Sequence, residues 1–178
     1  MNTADRSIAP LDTALRRRFQ FKELMPDYDA LDKATSGYKI PANESSKNIT
    51  LGAFLKTLNY RIEFLYDREH TIGHEYFRNV KNNDDLIAVM KNQILPLLQE
   101  YFYDDWEKIA QVLGKSVSKA AVNKENGPYL LIQEEWNTQE LFGESEESME
   151  SRVKYAFSIN PSIEAIKAIM PKEKIANG

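Results

Sequence analysis

The residues from about Thr50 to Asp67 constrain the fold most. Leu51, Phe54, Leu55, Leu58, Ile62 and Leu65 recur at intervals of three and four. That spacing puts apolar side chains on one face of an α-helix. Lys56, Asn59, Arg61 and Glu63 fall largely elsewhere on the same helix. A second stripe, formed by Leu86, Val89, Met90, Ile94, Leu97, Leu98 and Tyr101, predicts a helical region from about Asp84 to Phe102. Pro96 lies inside it and has no amide hydrogen to give, so a kink is expected there. Asp104 or Asp105 is placed to cap a shorter helix, Trp106 to Leu113, which Gly114 closes. The middle of the chain is therefore a helical body.

The flanks are mixed. Ile8 to Arg18 reads as a short helix, with Pro10 at its start, Asp12 in its first turn and Arg16, Arg17 and Arg18 at its negative end. Phe19 to Leu24 alternates apolar and polar residues, the pattern of a half-buried strand, and Met25-Pro26-Asp27 stops it. Asp29 to Ala34 fits one or two helical turns, and Thr35 to Asn48 a polar loop carrying Gly37 and Pro41. Gly73 interrupts the stretch from His70 to Phe77. Beyond Gly114 the composition changes, and Lys115 to Gly127 is polar. Tyr129 to Ile132 and Val153 to Ile159 look like strands paired antiparallel. Between them lie Trp136 to Phe142 and an acidic run, Gly143 to Glu150, read as a solvated loop. Asn160-Pro161 opens a final helix to about Met170. The expected class is mainly α with a minor β component.

Composition narrows the chemistry. The 178 residues are 42% hydrophobic, enough to bury a real core, and carry a net charge of −4, which argues against a large nucleic-acid footprint. The absence of cysteine excludes disulfides, thiolate metal sites and cysteine nucleophiles. No apolar stretch approaches the roughly 20 residues that span a bilayer. Asp5 and Arg6 stand where the apolar core of a secretory signal would begin. A cytoplasmic protein without a membrane partner is expected. Met1 reads equally as a genuine start or as an internal methionine of a longer protein.

The polar start of the chain carries the chemistry. Asn2-Thr3-Ala4-Asp5 offers side chains that read a polar ligand or place a water, and arginine's planar fork stabilises charge on a transferring phosphoryl group. No Gly-x-x-x-x-Gly-Lys-Ser/Thr phosphate cradle is present in the 178 residues. Met-Asn-Thr-Ala-Asp-Arg-Ser (1–7) followed by Leu-Asp-Thr-Ala-Leu-Arg-Arg-Arg-Phe (11–19) resembles the sensor-1 and arginine-finger segment of the AAA+ NTPases, and most of all the McrB-like branch, the GTP-using motors of 5-methylcytosine-specific restriction systems. Ile72-Gly-His-x-Tyr-Phe77 and Ile94-Leu-Pro-Leu-Leu-Gln-Glu-Tyr-Phe102 resemble the helical lid of that branch. The similarity spans about residues 1–114.

The resemblance implies roles position by position. Asn2 matches sensor 1, which helps place the attacking water. Asn2, Thr3 and Asp5 belong to the element associated with guanine-nucleotide preference. Arg17 and Arg18 match the finger that reaches the nucleotide of an adjacent subunit. Successive helix residues point about 100° apart, and Arg16 is the weaker candidate. His74 falls where the lid approaches the nucleotide. Residues 1–28 would end the AAA+ core, 29–114 would form the lid, and 115–178 a mixed α/β tail of unknown role. The implied ligand is GTP or ATP with Mg2+ in the complete protein. Implied partners are further copies in a ring, a nuclease subunit, and DNA through the full complex. The P-loop and the magnesium-holding acidic strand precede sensor 1 in that family, so this chain is expected to be a C-terminal part, inactive alone. The alternatives are a non-catalytic interaction module, or a subunit donating its finger to a separate P-loop subunit.

Plainer readings stand beside these. The arginines also suit an ordinary helix C-terminus, and Asn2 with Asp5 a capping turn. His70 and His74 have the i, i+4 spacing of a metal pair, but Gly73 weakens a helix there and no third ligand is indicated; no metal site is expected. His74 is equally a hydrogen-bonded structural residue. Tyr101, Phe102, Tyr103 and Trp106 read as core rather than a base-stacking surface.

Overall fold

The computed structural model describes residues 24–41, 48–114, 116–118, 128–136, 143 and 152–171. The predicted helix at 8–18, residues 19–23 of the predicted strand, and the acidic run at 144–150 lie outside them. Leu24, the last residue of that predicted strand, has no strand assignment and is exposed.

Asp27 caps the first described helix, α1 (Tyr28–Ala34), its carboxylate accepting from the Ala30 amide at 2.8 Å. Ser36 and Gly37 then turn the chain through positive φ, 54° and 74°. The expected polar loop at 35–48 holds a strand instead. β1 (Lys39–Ile40) pairs antiparallel with β2 (Ile49–Thr50), Ile40 opposite Ile49, because Ile40 is apolar enough to be drawn fully into the core.

Thr50 ends β2 and caps the long helix α2 (Leu51–Leu65), accepting from the Ala53 amide at 3.2 Å. The predicted face is buried: Leu51, Phe54, Leu55, Leu58 and Ile62. Asn59 is buried as well, and Arg61 half-buried, because α2 is packed on more than one side. The α1–α2 contact passes through Gly52, whose amide donates to Asp32 Oδ1 at 2.7 Å. A Cβ on Gly52 would lie 2.6 Å from the carbonyl oxygen of Tyr28. Backbone cannot step aside as a side chain can, so Gly52→Ala is expected to cost about 1–3 kcal/mol, read as a lower denaturation midpoint at unchanged slope.

Gly73 is extended, at φ −67° and ψ 145°, and starts a 3₁₀ turn over His74–Phe77. Phe77 meets Phe54 edge-on with centroids 6.1 Å apart. The region predicted as one kinked helix is three pieces: α3 (Asn83–Val89), a π turn (Met90–Ile94) and α4 (Leu95–Tyr101). Pro96 is the reason. It has no amide to give and its ring crowds the carbonyl a turn earlier, which the wider π spacing relieves; Leu95 donates to Met90, five residues back. The extra residue rotates the apolar stripe. Leu95 is buried, whereas Val89, Leu97 and Tyr101 are half-buried.

Asp105, rather than Asp104, caps α5 (Trp106–Leu113) by accepting from Lys108, and Gly114 closes it at φ 63°. A parallel pair, β3 (Val117–Ser118) and β4 (Leu131–Trp136), continues into β5 (Arg152–Phe157), antiparallel to β4 from Leu131↔Phe157 to Trp136↔Arg152. The final helix α6 is shorter than predicted, Ile163–Lys167. One hydrophobic core joins the helices to this sheet and takes in Leu130, Leu131, Ala165, Ile166 and Ile169. Trp106 stacks on Tyr155 at 6.1 Å and meets Phe157 edge-on at 5.3 Å. Phe102 is core and Trp106 packs on it, as expected, but Tyr103 is exposed. The described fold is mainly helical with small sheets, and no described helix is long and apolar enough to cross a membrane.

Candidate functional site

Of the residues singled out in the sequence, Asn2, Thr3, Asp5, Arg17 and Arg18 lie outside the described residues. His74 is described. Its side chain is 28% exposed, its Nδ1 accepts from the backbone amide of Asp27 at 3.1 Å, and its Nε2 lies 3.5 Å from Glu75 Oε1. His74 therefore ties the 3₁₀ turn to the residue that caps α1, where the chain passes from the N-terminal segment into the helices.

The backbone just before His74 is held by Asn59, 1% exposed on α2. Asn59 Oδ1 accepts from the Ile72 amide at 2.7 Å, and its Nδ2 donates to the Ile72 carbonyl at 3.0 Å and to the Tyr28 hydroxyl at 3.3 Å. A buried amide side chain thus saturates both backbone groups of one residue, which would otherwise be costly to bury. Sequence reading assigned Asn59 no such role. The signal was available: Asn59 stands four residues after Leu55 and three before Ile62, on the apolar face itself.

Arg61 joins more distant elements. Its guanidinium donates to the carbonyls of Val112 at 2.7 Å and Ile169 at 2.8 Å, near the C-terminal ends of α5 and α6. Burial lowers its pKa, and the partial negative charge of helix C-termini suits the cation there.

His70 has a different environment from His74. Its Nδ1 meets Asp67 Oδ1 at 2.6 Å, and its ring is flanked by Tyr66 at 4.1 Å and Tyr101 at 5.0 Å. Burial, helped by Tyr76, Glu100 and Asp67, pushes the Tyr101 hydroxyl up to about 12. Among the described residues no group of three His, Cys, Asp or Glu side chains is arranged to hold a metal ion. Burial alone would raise the Asp67 pKa, but hydrogen bonds from the His70 side chain and amide, the His70 charge and the Glu69 amide outweigh it and leave it below the ordinary carboxylate value. A depressed folded pKa contributes stability above the unfolded pKa and loses it as pH falls through the folded one. Asp67→Asn is thus expected to be less stable than wild type near neutrality, the difference closing in acid; denaturant unfolding across a pH series reads this.

An open cleft of about 630 Å³ lies beside α1 and the start of α2, lined among others by Asp27, Asp29, Asp32, Thr50, Gly52 and Lys56. Three carboxylates face one lysine, and Asp32 already occupies the amide of Gly52 at the α2 N-terminus. The cleft has the wrong charge for phosphates. Nor is the Gly-Lys-Ser run at 114–116 a phosphate cradle: Gly114 ends a helix instead of opening one, and the Ser116 hydroxyl accepts from the Leu130 amide at 2.9 Å.

The family model described as "McrB, alpha-helical lid domain" matches residues 50–110, which comprise α2, the 3₁₀ turn and the helices through the first half of α5. The Type IV methyl-directed restriction enzyme EcoKMcrB subunit of Escherichia coli (strain K12) is 32% identical over 123 residues. That alignment takes in 59% of this chain and 25% of the relative, so the chain spans about a quarter of the length of the curated protein it matches. The stripes on α2 and α3–α4 and the Ile72-Gly73-His74 turn all fall within the matched lid. Across those residues the chain is McrB-like, and residues 50–110 are similar to the McrB alpha-helical lid.

Proposed function

We propose that this chain supplies the sensor-1, arginine-finger and lid parts of a ring-forming motor that hydrolyses GTP in preference to ATP and drives DNA translocation for a modification-dependent nuclease. The carrying observation is the lid-family match at 50–110, which follows Asn-Thr-Ala-Asp (2–5) and Leu-Asp-Thr-Ala-Leu-Arg-Arg-Arg (11–18) in the same chain. On this reading residues 1–28 complete an AAA+ core, 29–114 form the lid, and 115–178 extend it. Asn2 orients the water, Arg17 or Arg18 stabilises transition-state charge in a neighbouring subunit, and Thr3, Asp5 and His74 contact nucleotide. The P-loop and the carboxylates for Mg2+ come from elsewhere in the motor.

The test is nucleotide-dependent assembly of the complete motor, followed by light scattering. Ring-sized particles with a GTP analogue, and fewer with its ATP counterpart, are expected. A folded monomer indifferent to both nucleotides would sink the reading and favour a non-catalytic interaction module.

A further inference from the structure

His74 touches both the lid and the segment leading into it, and its hydrogen bonding fixes more than its position. The Asp27 amide donates to Nδ1 at 3.1 Å. A ring nitrogen that accepts a hydrogen carries none, so in the neutral ring the proton resides on Nε2. The Nε2 contact among the described residues is Glu75 Oε1 at 3.5 Å, longer than an ordinary hydrogen bond, and that carboxylate is 65% exposed. The ring is therefore a part-exposed donor with only a weak competitor.

Asn59 holds the other end. Its amide grips both backbone groups of Ile72, two residues before His74, and its Nδ2 also reaches the hydroxyl of Tyr28, the neighbour of Asp27. One buried side chain thus sets the spacing between the imidazole and the amide that locks it.

We propose that Asn59 is a positioning residue that fixes His74 as an Nε2–H donor, and that this donor receives an uncharged acceptor of the bound nucleoside, on its base or ribose, rather than a phosphate oxygen. The ligand half rests on the nucleotide reading above; the tautomer half does not. Glu75 beside Nε2, and Asp27 and Asp29 at the near end of α1, repel an anionic oxygen but tolerate a neutral one.

Nitrogen-15 NMR of the 178-residue chain above neutral pH tests the lock. A single Nε2–H tautomer is expected; an Nδ1–H tautomer or a mixture overturns it. Affinity of the complete motor for GTP, GDP and guanosine tests the ligand half. His74→Asn keeps an acceptor near the Nδ1 position and removes the outer donor. It is expected to melt near wild type and to bind all three ligands about fivefold more weakly. His74→Gln keeps a donor near the Nε2 position, and is expected to lose stability but little affinity. Full rescue by asparagine would reduce His74 to a structural residue, and a loss seen with GTP or GDP but absent with guanosine would make the contact a phosphate one; either overturns the proposal. Asn59→Ser is expected to mix the tautomers and weaken binding by the same factor as His74→Asn, without adding to it in the double variant. Asn59→Asp, which keeps the acceptor for the Ile72 amide, serves if the serine variant does not fold. Retention of one tautomer and full affinity in the folded variant overturns the positioning role. Absence of nucleotide binding by the wild-type motor removes the ligand half and the functional reading together, leaving the tautomer result to stand or fall alone.

Discussion

Replacing Arg17 or Arg18 with alanine is expected to lower nucleotide turnover by the assembled motor about 10³-fold, the loss typical of a missing arginine finger, with nucleotide affinity near wild type. The asymmetry follows from when the charge is needed. A finger meets negative charge that develops on the transferring phosphoryl group and adds little to ground-state binding. Arginine suits this task because its guanidinium stays protonated and presents a planar fork. Lysine at the same position is expected to recover little, since a point charge on a flexible stem cannot reproduce the fork. Arg16→Ala serves as control, because the motif resemblance puts the finger at Arg17 or Arg18. Steady-state turnover and equilibrium binding on the same preparations separate the two effects. Equal loss from all three arginines would mean a helix terminus rather than a finger.

Replacing Asn59 with leucine is expected to destabilise the fold by about 3 kcal/mol, although the side chain is similar in size and more apolar. Leucine cannot replace the bonds to the Ile72 amide and carbonyl at 2.7 and 3.0 Å. Both groups remain in the interior, and a buried unpaired group costs about 1–3 kcal/mol. For a chain of this size the loss corresponds to roughly 10 °C in Tm. Thermal unfolding by circular dichroism reads it. Tyr28→Phe removes only the third and longest bond, 3.3 Å, and is expected to cost well under half as much. A leucine variant as stable as wild type would show that the Asn59 clamp carries no net stabilisation.

The apolar periodicity made the lid legible. The stripe on α2, the cap and closing glycine of α5, and the antiparallel pairing of β4 with β5 all follow local rules of spacing and capping. What escaped depended on contacts distant in sequence. Ile40 stands alone in a polar stretch, and nothing local says that it pairs with Ile49. The π turn before Pro96 moved Leu95 inward because the helix continued past the proline rather than breaking. Asn59 and Arg61 were read with the polar residues of α2, yet their partners, Ile72, Val112 and Ile169, lie 13, 51 and 108 residues away. At the candidate site, His74 could be marked from its motif, but not its bond to Asp27, 47 residues earlier. The arginines and the Asn-Thr-Ala-Asp element lie outside the described residues, and kinetics tests their proposed roles.

On the proposed function, this chain works on nucleotide held by a neighbouring subunit. The most direct measurement mixes two motor variants that are each inactive, one lacking the phosphate-cradling lysine of the P-loop and one carrying Arg17→Ala with Arg18→Ala. In mixed rings an intact finger faces an intact P-loop at some interfaces. Mixing is expected to restore GTP turnover, to a fraction that peaks near equal proportions. No recovery at any ratio, in rings shown to contain both variants, would contradict it.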